Sequence, residues 1–99
     1  MLLARYEQQT TESKLRDIDA SRWLRDGELV SSVAVTVTRM SGPTPAGDDL
    51  ECTTAIVAGT LIKFTASGGD NLAEYKIEFL ITTNLQVRED EVFIRIRNI

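Results

Sequence analysis

SGGDNLAEYKIEFLITTNLQVREDEVFIRIRN, residues 67–98, is the stretch whose reading decides the fold. Tyr75, Ile77, Phe79 and Ile81 alternate with Glu74, Lys76, Glu78 and Thr82. Period-two alternation of apolar and polar residues marks a strand with one face in a core and one in water. A second strand follows, placing Val92, Ile94 and Ile96 inward and Arg95 and Arg97 outward. Before them, Ser67-Gly68-Gly69-Asp70-Asn71 is turn chemistry. A phosphate-cradling loop needs a helix N-terminus behind it, and here a strand follows. If the hairpin pairs Ile81 with Val92, Leu80 falls opposite Phe93 and Glu78 opposite Arg95. Leu80 and Phe93 would then form an apolar spot on the outer face, to be covered by a helix, a loop or a neighbouring subunit.

The same period runs upstream. In ELVSSVAVTVTR, residues 28–39, Leu29, Val33, Val35 and Val37 share one face, and Ala34, Thr36 and Thr38 the other. MSGPTPAGDD, residues 40–49, holds both prolines and two glycines and reads as a loop, long for a hairpin connection. LECTTAIVAG puts Leu50, Cys52, Thr54 and Ile56 on one face, and TLIKFTAS groups Ile62, Phe64 and Ala66. Cys52 is expected inward as a small hydrophobe, with nothing nearby to activate its thiol.

In LRDIDASRWLRDGE, Leu15 and Ile18 suit a short strand or extended entry, and Asp19 or Ser21 can cap one helical turn that Gly27 ends. Trp23 either plugs the core or stands out as an interface anchor. Residues 1–14, MLLARYEQQTTESK, are polar with apolar spots at Leu2, Leu3 and Tyr6. They read as a frayed terminus or as an arm that orders on a partner. Deleting residues 1–13 is then expected to leave the fold intact.

Together these elements predict an all-β chain: an immunoglobulin-like antiparallel β-sandwich of about six or seven strands. One short helical turn is expected near residues 20–26, with an extended N-terminal arm at 1–14 before a sandwich domain at 15–99. Tyr75 resembles the corner tyrosine of immunoglobulin-type sandwiches, whose hydroxyl bonds upstream backbone.

Composition narrows function. The 99 residues allow one domain, and a net charge of −4 with interleaved bases leaves no cationic stripe for nucleic acid. No apolar run is long enough to span a bilayer. The chain has no histidine and one cysteine, which removes the usual general base, the usual zinc ligand and any internal disulfide. Asp48-Asp49-Glu51 and Glu89-Asp90-Glu91 match no calcium loop, and neighbouring strand acids point to opposite faces. No enzyme, cofactor or metal is expected.

Asp19, Trp23, Leu24, Gly27 and Glu28 lead into the first long strand. Ser67, Gly68, Gly69 and Tyr75, then Thr82, Thr83, Arg88 and Glu89, follow in order. That order, across roughly residues 15–98, resembles the small fibre–tail adaptor proteins of tailed bacteriophages. The resemblance implies a virion structural protein, made in the host cytoplasm, joining the tail tube or tail tip to fibres or peripheral tail proteins as a homo-oligomeric ring. A stand-alone immunoglobulin-like recognition domain is the alternative. Expected partner contacts are Leu2, Leu3 and Tyr6; Pro43, Pro45 and Asp48; Leu85, Val87 and Arg88; and Leu80 with Phe93.

Overall fold

Among the described residues seven strands alternate: β1 (Leu2–Gln8), β2 (Ser13–Asp19), β3 (Val30–Ser41), β4 (Leu50–Val57), β5 (Leu61–Gly68), β6 (Glu74–Thr83) and β7 (Val87–Ile96). The computed structural model describes residues 1–44 and 46–98. One sheet has the order β1-β7-β6-β3, the other β2-β5-β4. Strands 2, 5 and 4 on one sheet and 3, 6 and 7 on the other is the partition that immunoglobulin domains use for their second to seventh strands. Every pairing is antiparallel except β1 with β7, which is parallel.

The core lies between the central strands. Tyr75, Ile77, Phe79 and Ile81 of β6, Val92, Ile94 and Ile96 of β7, and Ile62, Phe64 and Ala66 of β5 are all essentially excluded from solvent. Phe64 and Phe79 meet across the two sheets with ring centroids 5.0 Å apart, tilted by 58°. Such tilted aromatic pairs match ring edges to ring faces. The molecule is elongated, 46 × 19 × 17 Å. Residues 42–44, 46–49 and 68–73 gather at one end. The β6–β7 hairpin tip gathers at the other, with the β4–β5 turn and residues 20–29.

Three features differ from the sequence expectation, and the expected short helical turn near residues 20–26 is present in a narrower form. Residues 2–8 are extended as expected, but they form β1 at the edge of the four-stranded sheet, hydrogen-bonded along β7 from Leu2–Glu91 to Gln8–Ile96. The hairpin register moves by four positions: Ile81 pairs with Arg88, Leu80 with Glu89, Glu78 with Glu91 and Phe93 with Lys76. The tip is tighter than assumed, because Thr83 N–H donates to Gln86 O at 2.9 Å and Thr83 Oγ1 accepts from the amides of Leu85 and Gln86. An even shift keeps the same side chains inward, so the core forecast survives while the Leu80–Phe93 pair does not. Leu29 is exposed and Val30 is buried, because a bulge between Val30 and Ser32 breaks the alternation. Finally, the helical turn is a single 3-10 turn, Ala20–Arg22, capped by Asp19, whose carboxylate accepts from Ser21 N–H. Gly27, at φ +77°, closes the next turn rather than ending a helix.

Candidate interaction surfaces

At the loop end, one carboxylate organises the chain. Asp70 Oδ2 accepts from Gly47 N at 2.8 Å and from Arg39 Nη1 at 2.6 Å, while Oδ1 accepts from Asp48 N at 2.8 Å. These donors, led by the Gly47 amide, hold the Asp70 carboxyl below the usual carboxylate range. Arg39 also donates to Pro43 O at 2.6 Å. The Tyr75 hydroxyl accepts from Asp70 N at 3.0 Å and donates to Asp48 O at 3.1 Å. The corner-like role read for Tyr75 is therefore filled, and its bonds fasten the 43–48 loop to the sandwich. Gly69 makes the approach possible. Its φ is +90°, and a Cβ there would sit 3.0 Å from Ile96 Cγ1 and 3.1 Å from Tyr75 Cε2.

At the hairpin end a second carboxylate does similar work. Glu28 is buried; its Oε1 accepts from Arg25 N at 2.9 Å, and its Oε2 from Thr83 Oγ1 at 2.5 Å and Gln86 Nε2 at 2.9 Å. The Arg25 amide and then the Thr83 hydroxyl keep Glu28 ionised below its usual range. Asn84 adds bonds to Leu29 N and Gly27 O. The Gly27-Glu28 and Thr82-Thr83 pieces of the sequence thus meet in space as a clasp between a turn and a hairpin tip.

The third feature is a groove of about 510 Å³ on the flank where β1 and β2, edges of opposite sheets, stand apart. Leu3, Tyr6, Ile18, Trp23, Arg88 and Val92 line it. The Arg88 guanidinium lies 4.7 Å from the Trp23 ring centroid, and Arg16 lies 4.3 Å from that of Tyr6. Arg88 Nε also bonds both oxygens of Asp90, 3.1 Å each, whose side chain is wholly buried. Stacking and ion pairing together fix the guanidinium, so the groove wall is preorganised. Tryptophan, tyrosine and arginine around an apolar hollow is the composition of protein-binding hot spots.

The model of the family described as podophage GP4 fiber-tail adaptor protein gp77 matches residues 8–97. The chain belongs to that family. No curated protein matches the sequence. The match begins at Gln8, the buried residue where β1 ends, and runs to the end of β7. It therefore contains both clasps and most of the groove.

The contact residues anticipated from sequence fall into four separate places. Leu3, Tyr6 and Arg88 share the groove, and Leu2 is exposed beside them on β1. Pro43 and Asp48 sit in the fastened loop at the far end, Pro43 as the Arg39 acceptor; Pro45 lies outside the described residues. Leu85 and Val87 are exposed at the hairpin tip. Leu80 is 45% exposed beside Glu89 on the outer face. Phe93 lies on the same face but is covered by Arg5, whose guanidinium is 4.6 Å above its ring. The two do not form one apolar spot.

By sequence Trp23 suits either core or interface, and Asp90 is one of three neighbouring acids. Trp23 packs partly against the core and presents the rest of its ring to the groove. Asp90 turns inward while Glu89 and Glu91 turn outward, so the three acids do not converge. Parity with Val92, two residues on, could have placed Asp90 inside. Among the described residues no three His, Cys, Asp or Glu side chains gather as a metal site. Cys52 is half-buried, and burial pushes its thiol up to about 11, far from thiolate chemistry.

Proposed function

We propose that this protein is a structural adaptor of the podophage virion, built into the tail and joining the tail tube or tip to fibres or peripheral tail proteins. Family membership over nearly the whole chain supports the adaptor role. The observation that carries the mechanism is the groove between β1 and β2, whose Arg88 is held in place by the Trp23 ring and by Asp90. A rigid sandwich supplies a docking wall whose shape does not need to be ordered on binding, which limits the entropy lost in assembly. The occupant is an apolar segment of a neighbouring tail protein, with Leu3, Tyr6, Trp23 and Arg88 as its contacts. Several copies around the tail axis would multiply modest contacts into stable attachment. Synthesis takes place in the host cytoplasm. The reading is of an adaptor rather than a catalyst: the chain has no histidine, and its one thiol is unactivated.

The test is a phage carrying Leu3→Asp. Leu3 is 37% exposed on the groove rim, so the substitution spares the core. Expected is a folded protein whose recovery in purified particles drops at least tenfold, with fibres lost in parallel. Cryo-electron microscopy of wild-type particles should show the sandwich seated on the tail through this flank. Wild-type particles without the protein would overturn the adaptor role in favour of a stand-alone recognition domain. Normal recovery of Leu3→Asp would overturn the groove alone.

A further inference from the structure

The opposite flank has a different chemistry. There the edge strands are β3 and β4, which lie against each other across the sandwich. From Leu29 to Thr38 and from Cys52 to Thr60 neither stretch carries a charge. The β1 and β2 edges, by contrast, carry Arg5, Glu7, Lys14, Arg16, Asp17 and Asp19, and β1 has a bulge between Leu2 and Ala4. Charges and bulges are how sheet edges are kept from pairing with other chains. This chain spreads charges along the β1 and β2 flank, whereas on β3 the register shifts, between Val30 and Ser32 and between Arg39 and Ser41, fall at the two ends and leave an uncharged middle.

The β3 edge is also regular. From Ser32 to Arg39 it pairs with β6 without a register shift, and among the described residues no strand is paired with its other side. Val33, Val35 and Val37 pack on the core yet remain only partly buried, as edge-strand residues do. An open row of backbone donors and acceptors is completed by one kind of partner, another extended backbone.

We infer that β3 is a self-association edge, and that its occupant is β3 of a second copy, antiparallel across a two-fold axis. Charge argues for a copy. In a protein of net charge −4, β3 meets its own uncharged sequence with no like charges opposed. With Val35 on the axis, Val33 faces Val37 on the inner side, and Ala34 faces Thr36 and Ser32 faces Thr38 on the outer side. The next pair is Ser31 with Arg39, and that arginine is already held by Asp70. Inner side chains meet inner ones and outer meet outer throughout, as two-fold antiparallel pairing requires. The paired stretch from Ser31 to Arg39 is about 30 Å long at about 3.4 Å per residue, and across a molecule 17 Å deep it offers roughly 500 Å² per partner, about 1,000 Å² in total, the size at which a specific interface begins.

The experiment is sedimentation equilibrium of the full chain across a wide concentration range. Wild type is expected to rise from 11.0 kDa toward about twice that mass. The double variant Ala34→Lys/Thr36→Lys brings four lysines together on the outer face of the pair. It should associate at least tenfold more weakly, with unchanged circular dichroism and urea midpoint at monomeric concentration. As a positive arm, Val35→Cys in a Cys52→Ser background should form an intermolecular disulfide under mild oxidation. A wild-type chain that stays monomeric at every concentration overturns the inference. So does a lysine variant that dimerises normally, or a Val35→Cys chain that does not cross-link. None of these results bears on recovery of the protein in tails, so the adaptor reading stands or falls separately.

Discussion

Asp70 accepts hydrogen bonds from two loop amides and one guanidinium, and these donors favour its ionised form, so the state of the 43–48 loop is linked to pH. Its carboxyl titrates lower in the folded chain than in the unfolded one. The clasp's contribution is therefore fully present above the ordinary aspartate value of about 4 and is lost as pH falls through the lower folded value. In NMR titrations the Gly47 and Asp48 amide resonances should hold their positions down to about pH 4 and move together below it. Asp70→Asn should show those resonances already displaced at neutral pH, with no acid transition. An Asp70→Asn loop indistinguishable from wild type would show that Tyr75 and Arg39 hold it unaided. The pattern of residues 67–75 pointed to Tyr75 as a corner residue. It did not show that Asp70 reaches back across the chain to residues 47 and 48, because a carboxylate in a Gly-Gly turn looks like ordinary turn chemistry.

At the scale of elements, alternation made β3 through β7 legible, since buried β-branched and aromatic residues at period two allow few other readings. β1 was not legible. ARYEQQ alternates, but its inward residues are Ala4, Tyr6 and Gln8, and only one of them is strongly apolar. Its place comes from parallel pairing with β7, a contact between chain ends that no local pattern announces. Gln8 shows how firm that place is: its Nε2 donates to Ala66 O at 2.8 Å and to Glu12 O, while its Oε1 accepts from Arg16. Sequence alone suggested that removing residues 1–13 would spare the fold. The paired strand predicts otherwise. Deleting residues 1–8 removes Tyr6 and uncovers Val92 and Ile94, and it should cost about 3 kcal/mol in urea unfolding. An unchanged midpoint would mean that β1 adds nothing to the isolated domain. The hairpin register belongs to the same lesson. Face assignment followed from parity, but the register depended on Thr83 closing the tip with its own hydroxyl.

Across the whole molecule the surfaces are set by which edges stay open. β1 and β2 part to leave a groove rimmed by charge, while β3 and β4 close on an uncharged seam. Joining two copies through β3 would give one eight-stranded sheet with β1 at each outer edge. At about 4.8 Å per strand the two β1 strands, and the grooves beside them, would stand about 34 Å apart. One dimer would thus present two identical docking walls facing opposite ways, an arrangement suited to a part that bridges repeated neighbours. The flanks share no side chain, so their effects should separate. Leu3→Asp should lower recovery in particles at least tenfold while leaving the sedimentation mass of the purified chain unchanged. Ala34→Lys/Thr36→Lys should do the reverse to the mass, and it should reduce recovery only as far as attachment depends on paired grooves. Loss of both properties in the Leu3 variant would show that the two flanks act as one surface and would remove the bridge.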